Sequence, residues 1–592
     1  MTAGLYLSVL VQSALPIAFM LVSGRLIGDI PSAVRHGLVS PEGRAALVLL
    51  GVTAAIIGLQ NILAPAVAAL SEVFGRSVDR YMQEQVMEIV ARPSEIAHLE
   101  DSEVLDLIAT SQGIGTEGFM RPGLAVASLS RVLPNWARSL GGAVVLMFFH
   151  WWLGLGWLLL WPVLLYYLSR EYIKVSEAGA GQSAALRRAD YYCDLALAPT
   201  AAKELRIWGM SDWLVSRFHR SWLVAMGPIW KARRPGRGLI WGTLFFIGLG
   251  SAVTFGLIAH AAVQGEIGLA ALAIFLQAAL AVSEFQAFDD SNMNLAYAAA
   301  SVPSLLRLDE RLRAGAQPAG TVLPPGAPQR EIRFRGVGMH YPGQKGNALV
   351  DVDLSIPAGR SIAIVGANGA GKTTLVKLLC GLYQPSKGSV TIDGMDLAKI
   401  RPESWQRRVA AIYQDFTQLH LPARENIGMG SVELLSGSDA ERTERALRAA
   451  AARAGILEVI EGLPRGWDTV LSRQYEGGAD LSGGQWQRIA LARALFAVEG
   501  GARVLVLDEP TANLDVRAEA ELYDRFLEIT AGLTTVLISH RFSTVRRADY
   551  IVVLEGGTIV ERGTHQELVA LRGRYAEMFR LQADRFVEEG AH

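Results

Sequence analysis

Apolar residues are unevenly spread along this chain of 592 residues. Long apolar runs fill its first half, whereas the stretch after Gln329 reads as an ordinary soluble α/β domain. A helix needs about 20 apolar residues, at about 1.5 Å rise each, to cross a hydrocarbon core of about 30 Å. Six stretches meet that length, some clearly and some marginally: 5–27, 45–70, 133–150, 153–168, 239–262 and 267–286. Only His150, Trp151 and Trp152 separate the third from the fourth, and their rings suit a membrane interface. The chain opens Met1, Thr2, Ala3, Gly4, without the basic region of a cleaved signal, so the first stretch reads as a span. The sixth stretch and its continuation hold Gln277, Glu284, Gln286, Asp289 and Asp290. Ionisable groups at membrane depth face cavities or pathways. Gln277 and Glu284 are therefore candidates for substrate contact, although a plain interfacial role is the stronger expectation.

Loop charges set the orientation. Between the fourth and fifth spans stand Arg170, Lys174, Arg187, Arg188, Lys203, Arg206, Arg217, Arg220, Lys231, Arg233, Arg234 and Arg237, while residues 263–266 carry no Lys or Arg. The positive-inside rule makes the long loops, and hence both termini, cytoplasmic. Those connections, 71–121 and 170–237, continue the helical pattern of the spans, as in Val73, Phe74, Val78, Met82 and Val86. Helices are expected to run well past the bilayer, with short crossing segments at 93–108 and 198–218; the alternative is solvated loops. Residues 314–330 cluster Pro and Gly without apolar periodicity and mark a linker. The expected domains are 1–313, 314–330 and 331–592.

Composition adds exclusions. A formal net charge of -1 argues against a nucleic-acid partner, and the mean hydropathy of +0.26 is high for a soluble protein of this size. The two cysteines, Cys193 and Cys380, lie too far apart for a disulfide framework or a metal motif and read as incidental thiols.

The chemistry sits in the second half. A short apolar strand, 361–365, runs into Gly366, Ala367, Asn368, Gly369, Ala370, Gly371, Lys372, Thr373 and Thr374, and a helix-like segment follows. This is G-x-x-x-x-G-K-[ST] in its strand–loop–helix setting, a loop whose amides wrap phosphates. The helix N-terminus adds favourable partial charge. Lys372 is expected on the β- and γ-phosphates and the Thr373 hydroxyl on Mg²⁺. A second apolar strand, 504–507, ends in Asp508, a candidate Mg²⁺ ligand, and Glu509, placed to polarise the attacking water. Leu481, Ser482, Gly483, Gly484 and Gln485 precede another helix and form a second anion-binding helix start, suited to a nucleotide held by another subunit.

With these motifs in order, the sequence resembles the ATP-binding cassette (ABC) transporters, whose signature is LSGGQ, and within them the exporter-type half-transporters. The resemblance covers nearly the whole chain. It implies an α-helical transmembrane domain of six spans with long cytoplasmic extensions, followed by an α/β P-loop NTPase domain of ABC type. Tyr341 then corresponds to the aromatic that stacks on adenine, although by itself it reads as an ordinary strand-end tyrosine. Gln414 resembles the Q-loop residue that joins γ-phosphate and Mg²⁺ to the membrane half, Asp515 the D-loop aspartate, and His540 the switch histidine on γ-phosphate. Glu476 is similar to the X-loop carboxylate, and 198–218 resembles the second coupling helix. The EGG…LSGGQWQ form is similar to that of some exporters of bacterial ribosomal peptides. An amphipathic elbow helix before the first span is missing or shortened, so the start at Met1 can be late. No N-terminal cysteine-protease domain or siderophore-binding domain is visible.

The resemblance implies an ATP- and Mg²⁺-dependent transporter subunit in the plasma or inner membrane, with its nucleotide domain cytoplasmic. A second subunit, of the same or a different kind, would close two ATP sites head to tail. The cargo class stays open among small molecules, lipids and peptides, with export favoured over import. An ATP-gated channel or regulatory membrane protein is the rival reading.

Overall fold

The computed structural model describes the chain except for residues 1, 113–120, 181–182, 233–236, 284–289, 315–319, 342–345, 510–531, 540 and 590–592. The chain divides into two units. The first is Met1–Arg92 with Leu99–Gly315; the second is Pro93–His98 with Ala316–His592. The first unit ends at Gly315, and a six-residue tip segment, Pro93–His98, belongs to the second unit.

The first unit is helical throughout its described elements. Its helices are α1 (Thr2–His36), α2 (Pro41–Ala91), α3 (Ser102–Gln112), α4 (Pro122–Met147), α5 (Trp151–Ala180), α6 (Ser183–Leu197), α7 (Ala202–Ile207), α8 (Ser211–Ala232), α9 (Arg237–Val263), α10 (Leu269–Ser283) and α11 (Asp290–Ala314). The Ser40 hydroxyl caps α2 by accepting the Gly43 N–H at 3.0 Å. With 51 residues, α2 is about 76 Å long, far more than a bilayer core requires. The expected extension beyond the membrane is thus one continuous helix.

Among the described residues, Tyr6–His36, Pro41–Ala91 and Trp241–Val263 are long and apolar enough to cross a membrane, and Trp151–Tyr167 and Leu269–Ser283 are apolar but shorter. The expected third span falls largely within α4. Its helix starts at Pro122, eleven residues before the apolar run, and Arg131, Asn135 and Arg138 dilute its hydropathy. Of the expected sixth span, α10 covers Leu269–Ser283. Glu284, Gln286 and Asp289 lie outside the described residues. At 198–218 the structure places the short α7 and the start of α8.

Small residues and buried polar pairs join these helices, as packing in lipid demands. A Cβ on Gly75 of α2 would stand 2.6 Å from the Gly123 carbonyl oxygen of α4, so only glycine permits that approach. Trp157 Nε1 of α5 donates to Thr254 Oγ1 of α9 at 3.0 Å, and Ser139 Oγ of α4 donates to the Ala281 carbonyl of α10 at 2.9 Å. The Gln277 amide lies 3.2 Å from Ser23 Oγ, tying α10 to α1. That bond favours the interfacial role for Gln277. Where α2, α3 and α11 meet, Val86, Ile89, Val104, Leu308 and Leu312 form a small core, flanked by an Arg92–Asp309 ion pair at 2.7 Å.

Two sheets build the second unit. Strands β1 (Glu331–Met339), β2 (Leu349–Pro357), β4 (Lys387–Ile392) and β5 (Met395–Asp396) form an antiparallel sheet in the order β2-β1-β4-β5. The other sheet takes the order β10-β9-β3-β8-β7-β6, with β3 (Ser361–Val365), β6 (Val409–Ile412), β7 (Val504–Asp508), β8 (Thr534–Ile538) and β9 (Tyr550–Glu555) parallel. Its edge strand β10 (Thr558–Gly563) runs antiparallel to β9. Every residue of β7 and β8 is buried, the run of apolar positions expected of central parallel strands.

Between the sheets lies α12 (Lys372–Leu379), whose Leu375, Val376 and Leu379 share one core with Phe334 and Val390 of the first sheet and Ile364, Val506 and Val536 of the second. Register sets Ile364 beside Ile538 and Asp508 beside Ile538, so the carboxyl ends of β3, β8 and β7 come level. In open parallel sheets that edge is where ligands bind.

Candidate nucleotide site

Phosphate binding begins with the backbone after β3. Gly366 has φ +156° and a Cβ there would meet the Leu554 carbonyl oxygen at 2.2 Å. At Gly371, φ is +104° and a Cβ would lie 2.6 Å from the Ala348 oxygen. Side chains are excluded from both ends of the loop, so its amides stay accessible. Asn368 and Gly369 are exposed at the crest and Ala370 is buried beneath them. Gly371 is the N-cap of α12 and brings no side chain to its first amides. The N–H groups of Lys372, Thr373 and Thr374 therefore have no intrahelical acceptor, a fitting environment for an anion.

Lys372 folds back over this loop. Its Nζ donates to the Gly366 carbonyl at 2.9 Å and the Ala367 carbonyl at 3.0 Å, and the side chain is buried. Burial lowers its pKa, opposed by the negative charges of Glu509 and Asp508. An incoming phosphate has to draw the ammonium away from two carbonyls, so the residue is already positioned at the loop centre.

Across from it, Thr373 Oγ1 donates to Asp508 Oδ2 at 3.3 Å. Asp508 ends β7 and is buried, and its pKa is raised, chiefly by that burial and further by Glu509 and Asp415, against the Thr373 hydrogen bond and the Lys372 charge, which lower it. A buried carboxylate under such pressure favours a cation nearby. Glu509 follows in the left-handed region at φ +48°, its N–H donating to the Ile538 carbonyl at 3.0 Å. Gln414 and Asp415 lie exposed just beyond β6, whose last pair is Ile412 with Leu507.

Tyr341 follows β1 and reaches α12 by its hydroxyl, which donates to Thr374 Oγ1 at 3.3 Å. Sequence reasoning missed its two other neighbours. Tyr383 stands edge-on to the Tyr341 ring, centroids 5.3 Å apart at 82°. Lys377 Nζ lies 5.6 Å from the Tyr341 centroid and 5.3 Å from that of Tyr383. Helical spacing alone could have paired Lys377 with Thr374, three residues away on the same face. Nothing local marks Tyr383.

The signature segment opens the helix Gly483–Glu499 with a reciprocal capping box: Ser482 Oγ accepts the Gln485 N–H at 3.3 Å, and Gln485 Oε1 accepts the Ser482 N–H at 2.9 Å. Leu481 and Trp486 are buried and anchor it, while Ser482 and Gly483 are exposed and Gly484 half-buried. Among the described residues, 481–485 share none of the contacts that join Tyr341, Lys372, Thr373, Thr374 and Asp508. Further along this helix, Arg493 donates to the Asn426 carbonyl at 2.8 Å and the Thr417 carbonyl at 3.3 Å, bracing the segment after Gln414; this residue too was not singled out from sequence. Asp515 and His540 lie outside the described residues. Glu476 is exposed.

The tip segment Pro93–His98 is held beside the far end of α12. The Ile96 N–H donates to the Leu382 carbonyl at 3.0 Å, Gln384 Nε2 to Glu95 Oε1 at 2.8 Å, and Gln406 Nε2 to the Ser94 carbonyl at 3.1 Å. The phosphate loop thus leads into this helix, and the chain just beyond it meets the tip segment.

Residues 349–512 match the family "ABC transporter". The ATP-dependent lipid A-core flippase of Methylococcus capsulatus is 41% identical over 251 residues, 42% of this chain and 40% of that protein. The flippase of Thiobacillus denitrificans is 39% identical over 251 residues, 42% of this chain and 41% of that protein. The chain covers about two fifths of the length of these curated relatives. Among solved structures, a bacterial Atm1-family ABC exporter with ATP bound superposes with a TM-score of 0.75 at 22% identity, over 98% of this chain and 99% of that one.

Proposed function

We propose a function from the premise that residues 349–512 are an ABC transporter nucleotide domain and that the whole chain has the fold of an ABC exporter. The protein is an ATP-hydrolysing transporter subunit that works as a dimer. The observation that carries this reading is the convergence of Lys372, Thr373 and Asp508 at the carboxyl edge of the parallel sheet, with Lys372 and Asp508 buried.

The donor set fits Mg²⁺. A hydroxyl and a carboxylate oxygen converge at 3.3 Å, both hard ligands. Among the described residues no group of three or more His, Cys, Asp or Glu could hold a metal, so phosphate oxygens and water have to complete the shell, as Mg²⁺ prefers. When bound, the ion neutralises charge on the β- and γ-phosphates. Lys372 and the α12 amides would orient the triphosphate, Thr373 and Asp508, together with Gln414, would hold the ion, and Glu509 would take a proton from the attacking water. His540 is assigned to the γ-phosphate and Asp515 to the dimer contact.

One phosphate loop and one signature loop per chain make the site incomplete alone. Gly366–Thr374 of each subunit is closed by Leu481–Gln485 of the other, and ATP stabilises the closed state through its differential affinity for it. A homodimer is the simplest assembly, since Glu509 and the signature are intact. For cargo we propose an amphipathic compound moved outward from the cytoplasmic side of the inner membrane. The flippase similarity supports this, as does a cavity of about 580 Å³ in the first unit whose lining includes Ile17, Leu21, Val144, Phe148, Ile274 and Phe275.

The test is ATPase activity in nanodiscs, screened with lipid A-type lipids, peptides and hydrophobic drugs. Stimulation together with ATP-dependent movement into vesicles is expected for one class. Lys372→Ala should lose nucleotide binding; normal affinity in that variant would remove the proposed role.

A further inference from the structure

The three contacts on Tyr341 do more than pack a strand end. We infer that Lys377 and Tyr383 are positioning residues that fix the base-stacking ring of Tyr341 at a set distance from the phosphate loop, so that α12 acts as a ruler for the nucleotide. The inference rests on the reading of Tyr341 as the adenine platform.

A tyrosine at a strand end has free rotamers, and stacking a base on it costs the entropy of stopping them. Here that motion is already restricted at three points. The hydroxyl is held by Thr374 at 3.3 Å. The ring edge is met by Tyr383 at 82°, the T-shaped arrangement that aromatic pairs favour. The ammonium of Lys377 lies within the roughly 6 Å at which a ring quadrupole attracts a cation. Tyr383 is itself fixed, being buried, and the same ammonium stands 5.3 Å from its ring.

Thr374 and Lys377 share one face of α12, and Lys372 and Thr373 stand in its first turn. Base platform and phosphate cradle are thus registered on one short helix. Lys377 also draws electron density from the Tyr341 ring, which favours stacking against an electron-rich purine. Affinity for a nucleotide with a stackable base is therefore raised, whereas affinity for a bare phosphate chain is not.

The experiment compares Lys377→Met, Lys377→Arg, Tyr383→Leu and Tyr341→Ala in the full-length protein in nanodiscs. It measures KM and kcat for ATP, and the inhibition constant of tripolyphosphate, which has no base. Lys377→Met is expected to raise KM for ATP about two- to fivefold, the span of a partly exposed cation–π contact. In that variant kcat should change less than KM, and the tripolyphosphate constant should stay as in the parent. Lys377→Arg should restore KM, and Tyr383→Leu should raise it by a similar factor. If KM and the tripolyphosphate constant rise together, the residues merely hold α12 in shape and the proposal falls. Should Tyr341→Ala raise KM while the Lys377 and Tyr383 variants do not, the ruler fails and the platform survives. If Tyr341→Ala leaves KM unchanged, the platform reading fails as well.

Discussion

Glu509 occupies a backbone position that its residue type disfavours, and this allows strain and catalysis to be separated by two substitutions. Its φ is +48°, and its N–H is committed to the Ile538 carbonyl at 3.0 Å. The left-handed region costs an L-residue about 1–2 kcal/mol. Glu509→Gly removes that cost but gives back about 0.5–1 kcal/mol through the freedom of glycine in the unfolded chain. The difference is a stabilisation of about 0–1.5 kcal/mol, centred at roughly 0.75 kcal/mol. At roughly 2–4 °C per kcal/mol for a domain of 150–250 residues, melting should rise by about 1.5–3 °C at that centre. Glu509→Gln keeps the Cβ and the strain, so it serves as the reference, and both variants lose the carboxylate charge that supports protonated Lys372. Both should also lose about 10²- to 10⁴-fold in turnover, the usual worth of a general base. Melting is read by tryptophan fluorescence without nucleotide, and turnover by phosphate release in nanodiscs. Two results would refute the reasoning: Glu509→Gly melting at or below Glu509→Gln, or either variant keeping more than a tenth of parental turnover.

Three further outcomes follow from the site. Gly371→Ala places a Cβ 2.6 Å from the Ala348 oxygen at φ +104°, so nucleotide affinity measured by a fluorescent ATP analogue should fall at least tenfold, the equivalent of about 1.4 kcal/mol. Ser482→Ala breaks the capping box and should cost about 1 kcal/mol in denaturant unfolding, while Ser482→Gly should cost only a few tenths. Asp508→Asn addresses charge burial. The folded pKa lies above the usual 3.8, so the folded state holds the proton more readily than the unfolded one, and the ionised group destabilises the nucleotide-free protein above that raised value. The variant should melt higher than the parent at pH 7 without nucleotide, with the gap closing as pH falls toward 3.8, and should show little of the parent's Mg²⁺-ATP-induced rise. Equal melting at pH 7 would show that burial of this charge is not felt.

Much of the site was legible because its determinants are local. Gly366, Gly371 and Lys372 are fixed by the geometry of one turn, and the turn is written in nine consecutive residues. Asp508 was legible because an all-apolar strand has to end where its carboxyl edge meets the ligand. Spans 5–27 and 45–70 were legible for a similar reason, since hydrocarbon demands an unbroken run. At the third span the apolar run marks less than the whole helix, because that demand relaxes. Around Arg131, Asn135 and Arg138 the chain remains helical, because helix formation depends on backbone bonds and neighbouring helices rather than on hydropathy. An apolar run then marks only the part of the helix in lipid.

The unread part of the site is the part made by tertiary approach. Tyr383 lies forty-two residues beyond Tyr341 in sequence, and nothing in its own neighbourhood says that it meets that ring. Arg493 likewise reads as one more charge on an amphipathic helix until its guanidinium is seen on the carbonyls of Thr417 and Asn426. Both residues act on backbone or ring atoms that motifs do not encode, and both sit on or beside a helix whose N-terminus a motif does encode. The motif fixes where the phosphates go; the body of the helix decides what is held in register with them. Residues three and four positions past such a loop are therefore where positioning groups should be sought, as Lys377 is here.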